Sequence, residues 1–412
     1  MKVGFISLGC NKNLVDTEKT ISIFKENNYE IVNNPKKADI IVINTCGFIQ
    51  PAKEEAINTI LEMAEYKKQG CRYLIVMGCL VERYKQELEK EIPEVDLFIK
   101  YSEYKTLWSK VQELIKKREE NVNFEEWQDR VITTGETTAY LKIADGCSNR
   151  CTYCAIPYIR GPLKSRKFEE IIEEAKKLAK RGYKEIILTA QDTTKYGTDI
   201  YGKSRLAELL TEISKIKEIK WIRFLYSYPE TIDDELIKVV KENEKVCKYF
   251  DIPIQHISNN VLKRMNRKSN GEGIRKLIEK LRKEIPEVII RTTVMVGFDK
   301  MGAFSYSKEE NTPAEKLKEQ IHPATKKSRY NKIMQLQKEL IEQKLKKYIG
   351  KKLEVLIENK TFDSKYYVAR SYMEAPETDE VIYIKNTQEL EIGQFTNCEI
   401  TDVKEYDLIG KI

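Results

Sequence analysis

Three cysteines in one short run constrain this chain more than any other feature. They stand in Cys147-Ser-Asn-Arg-Cys151-Thr-Tyr-Cys154, so a single loop offers three thiolates, here called the loop triad. A structural zinc site takes four Cys or His ligands, and the histidines of the chain, His256 and His322, are distant in sequence. A 4Fe–4S cluster on three thiolates keeps one iron available for a small molecule. The spacing therefore favours such a cluster, with a zinc knuckle and a disulfide knot as alternatives.

The composition excludes several classes of protein. The chain has 412 residues, 41% of them hydrophobic, which suits two or three domains with real cores. No apolar run approaches the roughly 20 residues of a membrane helix, and the stretch from Val3 to Ile6 is too short for a signal sequence. Nine cysteines without an export signal indicate a reducing compartment, where thiols bind metals. We expect a cytoplasmic protein with no membrane partner.

The first 130 residues alternate short apolar runs with amphipathic stretches. Candidate strands are Val3–Ser7, Glu30–Val32, Asp39–Asn44 and Tyr73–Gly78, and candidate helices include Val15–Glu26 and Ala52–Lys67. This alternation is typical of a doubly wound parallel α/β sheet. Cys10, Cys46 and Cys79 each follow a candidate strand, at the edge where such sheets bind ligands. We call them the N-terminal triad and predict a second metal centre there; ordinary buried cysteines are the alternative.

Two further segments follow. Candidate strands of the central segment are Thr138–Ala144, Glu185–Gln191, Trp221–Tyr226, Tyr249–Pro253, Val288–Val296 and Met301–Tyr306, with charged helices such as Lys167–Arg181 and Ser204–Lys215 between them. This pattern predicts a partial (β/α)6 barrel with its chemistry at the strand C-terminal ends. Residues 315–348 predict a long helix. Beyond it, Leu353–Ile357, Tyr366–Arg370, Val381–Ile384 and Phe395–Ile400 predict a small antiparallel β-barrel, OB-like. The expected domains are 1–130, 131–345 and 346–412.

The chain resembles a known family over nearly its whole length. The resemblance rests on Ser7-Leu-Gly-Cys-Asn-Lys-Asn-Leu-Val-Asp16, Asn44-Thr-Cys-Gly-Phe-Ile-Gln50, Met77-Gly-Cys-Leu-Val-Glu-Arg-Tyr84, the loop triad through Pro157, Ala190-Gln-Asp-Thr-Thr194, Pro253-Ile-Gln-His256 and Gly302-Ala-Phe-Ser-Tyr-Ser307. These motifs are similar to those of the methylthiotransferases, which are radical S-adenosylmethionine (SAM) enzymes. The resemblance implies an N-terminal cluster domain, a central barrel of radical SAM type and a C-terminal TRAM domain.

Two positions favour one branch of this family. The branch that modifies tRNA usually has Gln-Asn-Val-Asn where this chain has Gln191-Asp-Thr-Thr194, and a serine where it has His256. The resemblance therefore implies the branch that methylthiolates an aspartate of small-subunit ribosomal protein twelve. The alternatives are a tRNA adenosine methylthiotransferase and a non-enzymatic iron–sulfur protein that binds RNA or senses redox state.

The resemblance also implies a mechanism, cofactors and partners. The cofactors would be two 4Fe–4S clusters and SAM. The cluster on the catalytic loop triad would cleave SAM to a 5′-deoxyadenosyl radical, which abstracts hydrogen from the aspartate β-carbon. The cluster on the N-terminal triad would deliver a methylated sulfur. Besides the ribosomal protein, the implied partner is an electron donor such as flavodoxin or ferredoxin; tRNA is a partner only under the alternative.

Five further residues are candidates for binding SAM. Tyr153, between two cysteines of the loop triad, could stack near the adenine, or simply pack against its loop. Gln191, Asp192, Gln255 and Arg291 are expected at strand ends, where they could hold the ribose and carboxylate. A purely structural role is the alternative for each of them.

One stretch departs from the family pattern. Family members continue Val-Gly-Phe with Pro-Gly-Glu-Thr and a helix, whereas here Phe298 passes directly to Asp299. Parallel neighbouring strands need a crossover of about a dozen residues or more. We therefore expect the strand bearing Gly302 to be displaced or merged with the preceding one, unless a segment is missing from the sequence. Whether the shortened segment leaves an active enzyme is open.

The charge is distributed unevenly. The net charge is +7, yet residues 351–412 hold 8 Lys and Arg against 13 Asp and Glu. Proteins that grip nucleic acid neutralise phosphates with basic side chains, so this tail suits a basic protein better than tRNA. We expect Glu374, Glu377, Asp379 and Glu380 to contribute to an acidic docking face; an ordinary solvated surface is the alternative.

Overall fold

The computed structural model describes residues 1–116, 124, 129–293, 299–304, 306–317 and 321–412. These residues form two compact units. Unit 1 comprises Met1–Thr133, Ala144–Lys164 and Ser307–Leu317, and unit 2 comprises Thr134–Ile143, Ser165–Tyr306 and Lys318–Ile412. The loop triad therefore belongs to the same compact unit as the N-terminal triad. The domain boundaries near residues 130 and 345 remain predictions.

Unit 1 is built on a five-stranded parallel sheet of order β2-β1-β3-β4-β5. Its strands are β1 (Lys2–Ser7), β2 (Glu30–Ile31), β3 (Ile40–Thr45), β4 (Tyr73–Gly78) and β5 (Leu97–Lys100). The connecting helices are α1 (Asn11–Glu26), α2 (Gln50–Ala64), α3 (Cys79–Glu91) and α4 (Leu107–Ile115). Helices α1, α2 and α3 each begin soon after a strand and return the chain to the other end of the sheet, as parallel pairing requires, and α4 follows the last strand.

The two faces of this sheet are both covered. Ile41 and Ile43 point into one core with α2 and α3, whereas Ile40 and Val42 point into the other with α1 and α4. Successive strand residues face opposite sides, so a strand buried on both faces is a continuous apolar run. That is the pattern of β3, and it confirms the predicted doubly wound sheet.

Unit 2 contains two three-stranded parallel sheets, of orders β10-β9-β6 and β11-β12-β13. Unit 2 begins with β6 (Thr138–Lys142). The chain then passes through three elements outside these two sheets: β7 (Ala144–Asp145) and α5 (Ile156–Ile159), which belong to unit 1, and β8 (Lys164–Ser165). The barrel continues through α6 (Phe168–Lys180), β9 (Glu185–Thr189), α7 (Leu206–Ser214), β10 (Trp221–Phe224), α8 (Asp234–Glu242), β11 (Tyr249–Asp251), α9 (Asn259–Arg264), α10 (Gly271–Glu284), β12 (Ile289–Thr293) and β13 (Lys300–Gly302). A parallel bridge between Ile222 and Val246 links the sheets, which gives the expected partial barrel.

The pairing of β12 with β13 contradicts the sequence-based expectation. Arg291, Thr292 and Thr293 lie opposite Lys300, Met301 and Gly302 in parallel register, so the prediction of a displaced or merged strand is wrong. Lys300 lies opposite Arg291, two residues before the end of β12. The distance from the end of β12 to the start of β13 is therefore about one strand spacing, ~4.8 Å, sideways and two residues along the strand. Residues 294–299 can span up to about 20 Å, so no helix is needed. Residues 294–298, which include Phe298 and the end of the predicted strand Val288–Val296, lie outside the described residues.

The chain ends in a closed barrel of order β14-β15-β16-β18-β17. After α11 (Pro323–Leu345) its strands are β14 (Lys352–Lys360), β15 (Tyr366–Arg370), β16 (Ile382–Lys385), β17 (Phe395–Lys404) and β18 (Asp407–Lys411). All pairs are antiparallel except β16 with β18. The sequence reading missed β5 and β18, both of which are short.

A buried ion network joins this C-terminal barrel to the rest of unit 2. The Glu185 carboxylate, at the start of β9, accepts hydrogen bonds from Arg223 at 3.0 Å and Arg370 at 2.7 Å. All three side chains are at most 1% exposed. Burial acts to raise the pKa of Glu185, but the two guanidinium groups outweigh it and hold the pKa below its usual value.

Three of the four predicted docking carboxylates pair with basic residues of β12 and β13, and two of these three side chains are buried. Glu374, 4% exposed, lies 3.9 Å from the Lys300 ammonium, and Asp379, 3% exposed, pairs with Arg291. Glu380 also pairs with Lys300. The expectation that Glu374 and Asp379 lie on a docking face is wrong, because both carboxylates are consumed inside unit 2. Glu377 is exposed.

Candidate functional site

The N-terminal triad lies at the carboxyl edge of the unit 1 sheet. Cys10 directly precedes α1, Cys46 directly follows β3, and Cys79 is the first residue of α3. Since β1, β3 and β4 are adjacent parallel strands, their carboxyl ends meet at one edge. The sequence prediction that these cysteines converge there is consistent with this geometry.

Two glycines let the segments approach one another. Gly9 has φ +88°, and a Cβ at this position would lie 2.6 Å from the Cys46 Cβ and 3.0 Å from its Sγ. A Cβ on Gly47 would lie 2.7 Å from the Leu80 Cα. Glycine has no Cβ and tolerates positive φ, so both residues are needed for the close packing of the N-terminal triad.

The loop triad is folded tightly in the same unit. The Cys147 N–H donates to Gly161 O at 3.0 Å, and the Cys154 N–H donates to Cys151 O at 3.1 Å. Cys147 and Cys151 are buried, and Cys154 is partly exposed. Tyr153 is also partly exposed.

The chain after the loop triad packs directly on the N-terminal triad. Ala155 and Ile159 form a buried apolar cluster with Cys79. Arg160 follows at the end of α5, with its side chain 1% exposed. This segment therefore joins the two triads within unit 1.

Arg160 donates hydrogen bonds to three side chains near the triads. Its guanidinium donates to Asn13 at 2.5 Å, to Asp16 at 3.2 Å and to both oxygens of Asp145, at 3.0 and 2.9 Å. It also lies over the Tyr101 ring, 4.5 Å from the centroid. Asp145 precedes the loop triad and Asn13 follows Cys10, so one side chain contacts segments of both triads.

Asn13 fixes the segments that carry the N-terminal triad. Its amide nitrogen donates to Leu8 O at 3.1 Å and to Thr45 O at 3.0 Å. Its side-chain oxygen accepts from the Cys79 thiol at 3.6 Å. Asn13 therefore ties together the ends of β1 and β3 and the start of α3.

Arg160 affects the acidity of all three N-terminal thiols. Burial acts to raise the pKa of Cys10, but the charges of Lys12 and Arg160 outweigh it and the pKa is lowered. Burial dominates at the other two thiols: it raises the pKa of Cys46 and raises the pKa of Cys79 to about 12, against the opposing effect of Arg160. A buried thiolate at this edge thus depends on nearby positive charge.

Over the described part of the chain, no group of three Cys, His, Asp or Glu side chains is placed to hold one metal ion. A single zinc ion draws its ligands to about 2.0–2.3 Å. A four-iron cluster is a larger body whose three thiolate ligands surround a wider space. The donor set of each triad, three thiols and no other ligand type, has the chemistry that such a cluster takes.

The segment Ser307–Leu317 closes unit 1. The Glu309 carboxylate, 2% exposed, accepts from Lys53 and Arg83, both at 3.1 Å. Burial acts to raise the pKa of Glu309, but hydrogen bonds from Ser307, Lys53 and Arg83 outweigh it and hold the pKa low. The Ala314 N–H donates to O of Thr152, inside the loop triad, at 2.9 Å. This late segment therefore fastens helices α2 and α3 and the cysteine loop.

The remaining candidates for SAM binding lie in unit 2. Gln191 and Asp192 follow β9, and Gln255, with φ +65°, follows β11. These positions agree with the expected strand ends. Arg291 differs, because it lies in the middle of β12 and its guanidinium pairs with Asp251 at 3.0 Å and with Asp379 at 3.3 Å. Its placement at a strand end was wrong.

Comparison with known proteins agrees with this three-part architecture. Residues 2–100 match the uncharacterized protein family UPF0004, residues 141–301 the radical SAM superfamily and residues 349–412 the TRAM domain. Ribosomal protein uS12 methylthiotransferase RimO of Alkaliphilus oremlandii is 57% identical over 433 residues, covering 100% of this chain and 99% of that protein. The chain belongs to the RimO family. RimO of Caldicellulosiruptor saccharolyticus is 50% identical, with 100% of both chains covered. RimO of Clostridioides difficile is 45% identical, with 100% of this chain and 99% of that protein covered.

The alignments also bear on the shortened segment. The first alignment runs over 433 residues, whereas this RimO-family chain has 412. The relative therefore contains residues that have no counterpart here, which agrees with the reading that this chain is short of family sequence.

Solved structures show the same radical SAM fold at low identity. The radical SAM methyltransferase TsrM from Kitasatospora setae aligns with a TM-score of 0.52 at 12% identity, covering 72% of this chain and 68% of that one. The cobalamin-dependent radical enzyme OxsB aligns with a TM-score of 0.51 at 15% identity, covering 83% and 56%. The predicted fold class is confirmed. Within the described residues, no helix has the length and apolarity to cross a membrane.

Sequence reasoning missed the side chains that support the triads in this RimO-family chain. Asn13, Asp16 and Arg160 belong to quoted motifs or adjoin them, yet spacing alone does not reveal that they meet. In the sequence they are marked only as polar or charged residues that follow a cysteine by three to six positions. Because charged residues make up 33% of the chain, that signal does not single them out.

Proposed function

We propose that this protein attaches a methylthio group to the β-carbon of an aspartate in small-subunit ribosomal protein uS12. Relatives named for this activity are 45–57% identical over at least 99% of the chain. The observation that carries the proposal is the placement of both cysteine triads in one compact unit. An enzyme that joins a carbon radical to a sulfur group needs its two reactive centres close together.

The two triads would hold two 4Fe–4S clusters. Cys147, Cys151 and Cys154 would bind the first, and Cys10, Cys46 and Cys79 the second. When bound, these clusters and SAM supply the radical and sulfur-transfer chemistry. The protein's own contribution is to position the thiols: Gly9 and Gly47 allow the close approach, and Asn13 fixes the strand ends. The apolar contact of Ala155 and Ile159 with Cys79 excludes water there.

The candidates for holding SAM are Tyr153 in unit 1 and Gln191, Asp192 and Gln255 in unit 2. Tyr153 would pack near the adenine, and Gln191, Asp192 and Gln255 would hold the ribose and the carboxylate. Asp192 is 1% exposed and accepts from Thr194 at 2.7 Å, which fixes its orientation. Arg291 would act indirectly, because its guanidinium already pairs with two carboxylates.

The C-terminal barrel would dock the basic substrate protein. Since Glu374 and Asp379 are buried, we assign this role to the exposed carboxylates Glu377, Glu389 and Glu391. Opposite charge on the two partners favours encounter and orientation. Reversing these three to Lys should weaken substrate binding without destabilising unit 2. The electron donor would be a flavodoxin or ferredoxin, and the protein would work in the cytoplasm, where its substrate is made.

The decisive experiment is anaerobic reconstitution followed by product analysis. The protein, SAM and a reductant are incubated with uS12, with 30S subunits and, separately, with tRNA. We expect the mass of one methylthio group on a uS12 aspartate, and none with the Cys151→Ala variant. Modified adenosine in tRNA would instead establish the tRNA-modifying alternative. Absence of 5′-deoxyadenosine with every substrate would leave a non-enzymatic iron–sulfur protein, and would also answer whether the shortened segment permits activity.

A further inference from the structure

Arg160 differs from Arg130, the other arginine that is buried among the described residues of unit 1. It belongs to the chain just after the loop triad, yet its guanidinium donates at 2.5 Å to the side-chain oxygen of Asn13, the same atom that accepts from the Cys79 thiol at 3.6 Å. Arg130, in the same unit, is similarly buried, with 4% of its side chain exposed, but its ion pair is with Glu18. Both arginines balance carboxylates, but among the contacts described for the two, those of Arg160 include an acceptor that is shared with a thiol of the N-terminal triad.

The charges around the N-terminal triad require a cation. Three thiolates and the carboxylates of Asp16 and Asp145 would concentrate negative charge in a buried region, which is costly unless it is compensated. Arg160 is the cation that the geometry places there: it pairs with Asp16 at 3.2 Å and shares the side-chain oxygen of Asn13 with the Cys79 thiol. Two carboxylates hold the guanidinium in place, so its position is fixed before any ligand arrives.

We propose that Arg160 is a positioning residue for the N-terminal cluster: it orients Asn13 and Cys79 and supplies the positive charge that retains the cluster. The inference deepens the proposed function and rests on its assignment of a cluster to this triad. It assigns to a residue of the radical SAM loop a task at the other metal centre. The potential of an iron–sulfur cluster depends on local charge and on hydrogen bonds to its sulfurs, so Arg160 should also set that potential.

The test isolates the N-terminal cluster in the full chain. Cys147→Ala, Cys151→Ala and Cys154→Ala are combined to give a parent that can hold iron only at the N-terminal triad. Into this parent we introduce Arg160→Met, Arg160→Lys, Asp16→Asn or, as a matched control, Arg130→Met. Two properties are measured after anaerobic reconstitution: the rate at which a chelator removes iron, and the midpoint potential of the cluster by electron paramagnetic resonance.

We expect chelation to be about tenfold faster in Arg160→Met, the range found when groups supporting metal ligands are removed. Its potential should become more negative, because loss of a positive charge disfavours the reduced cluster. Asp16→Asn should shift the potential in the opposite direction. Arg160→Lys should retain most of the parent potential, and Asp16→Asn decides the test if Arg160→Met does not fold. Arg130→Met should change neither property.

Two outcomes would overturn the inference. One is an unchanged chelation rate and potential in Arg160→Met, or, if that variant does not fold, a potential unmoved in Asp16→Asn. The other is an equal change in Arg130→Met, which would indicate a general loss of structure. A parent that binds no cluster at all would overturn the assignment of the N-terminal triad in the proposed function, so the two failures are distinguishable.

Discussion

Replacing Glu185 by Gln should loosen the C-terminal barrel from the rest of unit 2. The carboxylate is 0% exposed and neutralises Arg223 and Arg370. Arg370 retains Glu358 at 2.6 Å, whereas Arg223 retains a backbone acceptor, Tyr372 O at 2.9 Å, and the Tyr249 ring, whose centroid lies 4.8 Å from the guanidinium. The substitution therefore removes the carboxylate that Arg223 pairs with and leaves its positive charge buried.

The magnitude follows from the burial. Removing one partner of a buried ion pair costs about 3–5 kcal/mol. Since each 1.4 kcal/mol is a factor of ten, the opening equilibrium of this region should increase at least about a hundredfold. The assay is hydrogen exchange with mass spectrometry on peptides that contain β9 and β15, because it reports local opening without assuming two-state unfolding of the whole chain.

Two further variants sharpen this test. Glu284→Gln removes a partner from an exposed pair with Lys241 and should leave exchange unchanged. Adding Arg223→Met to Glu185→Gln should recover part of the loss, because it removes the uncompensated charge. If the β15 amides of the Glu185→Gln variant exchange at the same rate as in the wild type, the reasoning is refuted.

Three more predictions concern unit 1. Gly9→Ala should remove most of the iron at the N-terminal triad, because the new Cβ would clash with Cys46. The control Gly70→Ala, at a position with φ +117° and no atom within 4 Å of the new Cβ, should retain this iron. Iron analysis compares the two variants, and equal iron contents would contradict the clash. Wild type should hold about eight irons per chain, and Cys79→Ala about half, measured as iron and sulfide; stoichiometric zinc would contradict this. Because the pKa of Glu309 is lowered, its ion pairs stabilise unit 1 above the usual carboxyl pKa and are lost as pH falls below about 4. In the wild-type protein, proteolysis near residue 310 should therefore be faster in acid than at pH 7. Glu309→Gln should make this proteolysis faster already at pH 7 and abolish the further increase in acid. If the variant shows the same increase as the wild type, another group is responsible.

The sequence predicted the architecture well where patterns are local. The apolar runs of β3 and β4 predicted the doubly wound sheet correctly, and the cysteines after them lie at its carboxyl edge, as expected. The strands β5 and β18 were missed, although β16, which has four residues, was predicted. The pairing of β12 with β13 was predicted wrongly because we assumed the usual crossover of about a dozen residues. Lys300 lies opposite Arg291, before the end of β12, so the distance that the connection covers is short.

The supporting groups of the site could not be predicted for a different reason. Arg160 meets Asp16 across a separation of 144 residues, and Glu309 meets Lys53 across 256. Such contacts depend on the fold and leave no local pattern. The prediction of an acidic docking face was partly wrong for a related reason. Net charge does not tell which carboxylates form buried ion pairs: Glu374 and Asp379 are buried, whereas Glu377 is exposed.

The discontinuity of unit 1 has a consequence for biosynthesis. Its sheet and both cysteine triads are complete in the chain once residue 164 has been made, but Ser307–Leu317 comes much later. At translation rates of about 5–20 residues per second, the nascent chain presents six thiols for on the order of ten seconds before Glu309 and Ala314 can secure them. Iron–sulfur loading of such a chain is therefore best timed after synthesis, and assembly factors or chaperones that shield thiols during elongation would determine how much active protein a cell obtains.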